Sequence, residues 1–134
     1  MRDIFYAAKA PISLKDIFTL LPLSLVATLG LEEDLIYIKR PISYIEIYTY
    51  DFRAYLEPEE VSELMRLGYQ SVFCLTYKVG DFDMCLSFIK GFMAEYGGVM
   101  FPDEEPLRLL TADMIDSFTE AEGPTEPKSD GLES

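Results

Sequence analysis

Residues 71–102, SVFCLTYKVGDFDMCLSFIKGFMAEYGGVMFP, predict a strand, a helix and a second strand with boundary residues at each joint. β-branched and aromatic side chains dominate residues 71–79, as they do in strands, and the Gly80-Asp81 pair supplies a turn and a helix N-cap. Apolar side chains then recur at helical spacing over residues 82–96, and Gly97-Gly98 ends the helix. Because apolar residues occupy most of its circumference, we expect a central core helix; the alternative is an exposed apolar interface edge.

The flanking sequence predicts further strands and helices around this unit. The predicted strands cover residues 4–8, 35–40, 44–50 and 99–101, and the predicted helices cover residues 14–21, 23–29, 57–67 and a segment that starts at Thr111. Pro22 separates the first two helices because proline is not accommodated inside a helix. The order of elements predicts an α+β fold with a ferredoxin-like split βαβ core, a mostly antiparallel sheet with helices on one face, and a C-terminal α-β-α extension.

Length and composition predict one folded domain followed by a tail. With 134 residues, 49% of them hydrophobic, the chain can bury a core of its own as one domain, which we place at residues 1–118. Residues 119–134 are rich in acidic residues, glycine and proline and have almost no apolar side chain. We expect them to form a disordered acidic tail.

The charge of the chain excludes several classes of partner. It has 24 acidic and 11 basic residues, a net charge of −13, which disfavours nucleic acid and anionic membranes and favours a basic protein partner.

No stretch has the pattern of a signal peptide or a membrane span, and Cys74 and Cys85 lack the spacing of a metal site or redox motif. We expect both cysteines to be buried free thiols in a cytoplasmic protein.

The sequence contains no signature of catalysis. Histidine is absent, which removes the commonest general base and zinc ligand, and no P-loop, GxGxxG or GxSxG motif occurs. Carboxylates are paired at Asp81 and Asp83 and again at residues 103–105, but Asp81 is explained as an N-cap and the pattern of a calcium loop is missing. We expect no enzymatic activity, no cofactor and no bound metal.

Two surface features are candidates for binding a partner. Pro58 opens an acidic helix in which Val61, Leu64 and Met65 are expected to face inward and the glutamates outward. In the strand at 44–50, isoleucines share one face and tyrosines the other. Both features also have ordinary explanations, namely a solvated helix face and the stabilisation of a strand by tyrosine. The candidate contact residues are Glu57, Glu59, Glu60, Glu63, Tyr44, Tyr48, Tyr50, Glu32, Glu33 and Asp34.

Three segments carry a resemblance to a known group of proteins: residues 5–14 (FYAAKAPISL), 92–101 (FMAEYGGVMF) and 109–113 (LLTAD). They resemble small acidic α/β immunity proteins of bacterial polymorphic and contact-dependent toxin systems, including the Sit-type immunity group. The resemblance spans most of residues 4–118. It implies a cytoplasmic, non-enzymatic protein that binds and neutralises one cognate toxin, and it assigns no residue because such families diverge at the binding surface.

The sequence therefore predicts an immunity-type protein that neutralises a basic toxin through an acidic, tyrosine-containing surface. Two alternatives remain open: a generic protein-interaction or ligand-sensing regulatory module, and a phage-borne inhibitor that mimics the charge of DNA. A toxin gene directly upstream would favour the immunity function. A metabolite that shifts the melting temperature would favour the regulatory module, and adjacent phage genes would favour the DNA mimic.

Overall fold

The computed structural model describes residues 1–22, 27–30, 32, 34–40 and 43–121. The strands in these residues are β1 (Arg2–Ala8), β2 (Ala27–Leu29), β3 (Ile36–Arg40), β4 (Ser43–Thr49), β5 (Ser71–Tyr77) and β6 (Val99–Pro102). The helices are α1 (Leu14–Thr19), α2 (Phe52–Tyr55), α3 (Pro58–Arg66), α4 (Phe82–Tyr96) and α5 (Ala112–Ala121), with a 3₁₀ turn at Val79–Asp81 before α4. The predicted α+β class is confirmed.

The described strands form one antiparallel sheet in the order β2-β3-β4-β5-β1-β6. β1 lies between β5 and β6 and pairs with both along its apolar residues. A split βαβ core needs parallel strands joined by a crossover helix, and no parallel pair occurs among the described strands. The ferredoxin-like arrangement is therefore not confirmed. The C-terminal α-β-α extension is also not confirmed, because β6 belongs to the sheet itself.

One face of the sheet packs against α1, α4 and α5. The core on this face includes Ile38, Ile47, Leu75 and other alternate residues of the strands. Helix α4 packs on this core along one broad apolar face, as expected for a core helix, and its other side is exposed. Its buried residues are Phe82, Cys85, Leu86, Phe88, Ile89, Phe92 and Met93.

The opposite face of the sheet is also covered, so the prediction of helices on one face is wrong. Phe52 of α2 and Leu64 of α3 pack there against Phe5, Cys74 and Phe101. The physical reason lies in β1, β5 and β6, whose successive residues are apolar on both sides of the pleat. A strand of that kind has to be covered on both faces.

The prediction of a helix over residues 23–29 is wrong for its last residues. Residues 27–29 form β2, in which Ala27 lies opposite Ile38 and Leu29 opposite Ile36; residues 23–26 lie outside the described residues. Pairing with β3 supplies the backbone hydrogen bonds and the apolar contacts that a short isolated helix would lack. At the other end of the chain, α5 continues to Ala121, and residues 122–134, the rest of the predicted tail, lie outside the described residues.

The predicted boundary of α4 is confirmed at its C-terminal end, whereas the predicted capping bond at its N-terminal end is not made. Gly97 and Gly98 have φ angles of 72° and 97°, as predicted for a glycine helix stop. The Tyr6 hydroxyl donates a hydrogen bond to the Gly97 carbonyl at 2.7 Å, which ties this end to β1. Asp81 lies at the N-cap position, but its side chain makes no cap hydrogen bond; instead Oδ2 accepts from the Tyr44 backbone N–H at 3.1 Å.

Candidate functional site

Helix α3 presents the predicted glutamates to solvent. Proline at its first turn and acidic residues near its positive end favour a helix that begins here, and Gly68, with a φ of 90°, follows its end. Leu64 is fully buried in the apolar cluster between the sheet and α2 and α3, which we call the second core, and Val61 packs partly against it. Met65, which we expected to face inward, is 51% exposed, because the packed face of the helix is centred on Leu64 instead.

The glutamates of α3 form one side of a groove whose other side is apolar. Glu59, Glu60 and Glu63 line it together with Pro106, Leu107 and Leu109, and its volume is about 260 Å³. Leu107 and Leu109 also pack against the second core, so the apolar side of the groove is continuous with the interior.

The segment that carries these leucines is held in place by β6. The Met100 N–H donates to the Leu110 carbonyl at 2.9 Å, and the Leu110 N–H donates to the Met100 carbonyl at 2.7 Å. These two bonds fix the segment along the outer edge of the sheet, beside α3. The sequence prediction missed the leucines, although the alternation of Leu107 and Leu109 after the acidic loop was a visible sign of a half-buried extended segment.

The carboxylates of the groove differ in their partners. Both oxygens of Glu63 accept hydrogen bonds from Arg66, at 3.1 and 2.7 Å, and these bonds lower the pKa of Glu63. Glu60 Oε1 accepts only a long bond of 3.4 Å from the Glu57 N–H. Within the described part of the chain no group hydrogen-bonds to the Glu59 carboxylate. Glu59 and Glu60 therefore remain open to a cation from outside.

The tyrosines of β4 lie on the sheet face opposite the isoleucines, as the alternation predicted, and the structure shows that α2 and α3 cover this same face. The Tyr44 hydroxyl donates to Glu46 Oε2 at 2.6 Å, and this bond raises the pKa of Tyr44. Tyr48 is half-buried, and burial raises its pKa to about 12. Its hydroxyl lies 3.4 Å from Thr76 Oγ1, which in turn donates to Asp3 Oδ1 at 2.6 Å.

Tyr50 makes two aromatic contacts. Its ring centre lies 4.6 Å from that of Phe5 and 5.7 Å from that of Tyr55. Burial raises the pKa of Tyr50. Tyr48 and Tyr50 therefore contribute to the second core as well as to the surface, whereas Tyr44 lies outside that core.

The third predicted group, residues 32–34, is not brought to the groove. Glu32 and Asp34 are exposed in the connection between β2 and β3, and Glu33 lies outside the described residues. The groove adjoins β6, and β4, β5 and β1 separate β3 from β6 in the sheet. At about 4.8 Å per strand, this separation is about 19 Å.

Outside the groove and the tyrosines, the described residues contain few groups with an unusual pKa. Cys74 and Cys85 are free and buried, as predicted, and burial raises the pKa of Cys74 to about 11. Burial and the nearby Asp3 also raise the pKa of Asp103. Among residues 1–22, 27–30, 32, 34–40 and 43–121, no group of three or more potential metal-ligating side chains occurs. No helix in these ranges is long and apolar enough to cross a bilayer.

Comparisons with protein-family models, with curated proteins and with solved structures find no match for this chain. A function for it has to be inferred from its own residues. Of the predicted sites, the structure brings together the acidic side of α3 and the tyrosines of β4 on one face of the sheet, and it adds an apolar wall beside the glutamates.

Proposed function

We propose that this chain is a cytoplasmic, non-enzymatic immunity-type protein that binds and neutralises a cognate, basic bacterial toxin through its acidic, tyrosine-containing surface. The observation that carries the proposal is the groove in which Glu59, Glu60 and Glu63 face the apolar side chains of Leu107 and Leu109. Protein interfaces combine an apolar, desolvated centre with a polar rim, and this groove offers both on a small scale.

The charge of the chain supports a basic partner. A net charge of −13 produces a field that attracts a cationic protein over distances longer than a contact, and it raises the rate of encounter. The glutamates of α3 are solvent-accessible to different degrees: Glu57 and Glu59 are exposed, and Glu60 and Glu63 are partly so. They are therefore able to form ion pairs with a partner at little cost in desolvation.

The tyrosines extend the proposed surface beyond the groove. Tyr44 and Tyr48 are half-buried on the sheet face that α3 also covers. Tyrosine is enriched among the residues that dominate binding energy, because a large rigid ring is combined with a hydrogen-bonding hydroxyl. We propose that these rings contact the partner on the part of the sheet face that lies away from the groove, across β5 and β1.

The first test is protection. Co-expression of this chain with the toxin encoded beside its gene is expected to restore growth of cells that the toxin alone arrests. Growth that stays arrested, with both proteins present and soluble, would reject the immunity function.

The second test locates the interface by charge reversal. Replacing Glu59, Glu60 and Glu63 with lysine is expected to slow association with the toxin by on the order of tenfold or more at low salt, because electrostatic steering is lost, and to weaken the dependence on salt. A matched control reverses three exposed acidic residues on α4 and α5, with the same change in net charge. These control residues are Asp83, Glu95 and Asp113.

The control variant separates a local effect from an effect of total charge. Asp83 and Asp113 lie in the first turns of their helices, as Glu59 and Glu60 do in α3, so the effect of these reversals on the helix dipole is similar in the two variants. Stopped-flow association and urea unfolding are measured for both. Equal slowing by the two triple variants would place the interface elsewhere.

A further inference from the structure

We infer that the groove between α3 and residues 106–109 receives an arginine side chain, flanked by apolar residues, from the partner protein. This inference rests on the proposed function and states which chemistry the acidic surface recognises. It depends on the size of the groove, on its two unlike walls and on the partners that its carboxylates already have.

The size of the groove suits a side chain better than a free ligand. Its volume of about 260 Å³ lies below the roughly 300–1,000 Å³ that is typical of sites for drug-sized molecules. A protein partner needs no more space than one inserted side chain, because the rest of its contact lies on the surface around the groove.

The two walls match the two parts of an arginine. The methylene groups of its stem would pack on Leu107, Leu109 and Pro106, while the guanidinium would reach the carboxylates of α3. Arginine is preferred to lysine here because its planar fork binds a carboxylate through two parallel hydrogen bonds and because it is less strongly hydrated.

The structure already contains this pairing once, beside the groove. Arg66 binds Glu63 through Nε and Nη2, at 3.1 and 2.7 Å, so the Glu63 carboxylate is engaged. The incoming arginine would therefore meet Glu59 and Glu60. Both lie in the first turn of α3, where the helix end carries only about half a positive charge, less than the two carboxylates together.

The opposite wall also contains a cation, Arg108, between its two leucines. Arg108 Nε lies 2.9 Å from Glu104 Oε2, an ion pair that offsets part of its charge. The groove thus remains negative on the side of Glu59 and Glu60, which favours a cationic side chain there.

The test uses the full chain labelled with ¹⁵N and a synthetic probe. The probe is an amphipathic helical peptide, with one charged and one apolar face, that carries one central arginine between leucines. Its matched control carries citrulline in place of that arginine. Citrulline keeps the shape of the side chain and removes the charge. Chemical-shift changes in the backbone amides are followed as each peptide is added.

The expected result is saturable binding with the largest shifts at Glu59, Glu60, Leu107 and Leu109. The citrulline peptide is expected to bind at least about fivefold more weakly, since its neutral side chain forms weaker hydrogen bonds to carboxylates than a guanidinium does. The E59Q/E60Q variant is expected to lose the same factor, whereas the D83N/E95Q variant, altered on α4, keeps the affinity of the unaltered chain.

Three results would overturn the inference: shifts centred away from the groove, equal affinity for the two peptides, or no saturable shift at millimolar arginine peptide. Each of them leaves protection from the toxin as a separate result. Conversely, arginine-dependent binding in the groove without protection would reject the immunity function and retain the binding chemistry.

Discussion

Replacing Gly98 with alanine probes the close approach between the α4–β6 connection and β1. Gly98 has a φ of 97°, and a Cβ atom built there would lie 2.2 Å from the backbone carbonyl oxygen of Ala7. The left-handed conformation costs alanine about 1–2 kcal/mol. Relieving the overlap requires a shift of β1, a fully buried strand at this point, and adds about 1–3 kcal/mol. We therefore expect the variant to lose about 2–5 kcal/mol of the free energy of unfolding.

Two other glycines provide matched controls for the same change of one methyl group. Gly68 also has a positive φ, of 90°, but nothing lies within 4 Å of its Cβ position, so G68A should lose only about 1–2 kcal/mol. Gly91 lies inside α4 with open space around it, and G91A should gain about 0.5–1 kcal/mol, because alanine is the better helix former.

Urea unfolding followed by circular dichroism measures all three variants. The expected order of stability is G91A, the unaltered chain, G68A and G98A. If G98A lost no more free energy than G68A, the backbone of β1 would not approach Gly98 as closely as the structure places it, and the conformational term alone would account for both variants.

Two further predictions concern buried polar groups. In the native protein both thiols should resist a disulfide reagent such as DTNB at neutral pH, because Cys74 and Cys85 are buried and their pKa values are raised. Both thiols should react after the chain is unfolded in urea. Rapid labelling of the native chain would contradict this burial. Asp81→Ala should lower the free energy of unfolding by about 1–3 kcal/mol, because the Tyr44 N–H loses its acceptor. Asp81→Asn keeps an oxygen at that position and should lose less free energy. Equal losses in the two variants would show that this hydrogen bond contributes nothing to stability.

Much of the local structure could be predicted from neighbouring residues. The Gly97-Gly98 pair ended α4 where expected, Pro58 opened α3, and alternation placed Ile45 and Ile47 on the face opposite the tyrosines. Each of these features depends on steric preferences or on a period that a short stretch of sequence contains in full.

Features that depend on distant pairing could not be predicted in this way. Residues 27–29 joined the sheet because β3 offered hydrogen bonds to them, and helix α2, only four residues long, is held on the sheet by the burial of Phe52. A helix this short does not form by its own propensity, so its sequence carries no strong signal.

The candidate site likewise has one part that local sequence predicts and one part that depends on distant pairing. The sequence alone determined that α3 would be a helix with acidic residues toward solvent, since charge, a proline start and the buried Leu64 all lie within a few turns. The position of Leu107 and Leu109 beside those glutamates depends on the folded sheet, because the pair of backbone bonds between Met100 and Leu110 sets it. A groove made from segments far apart in the chain exists only after the sheet has formed.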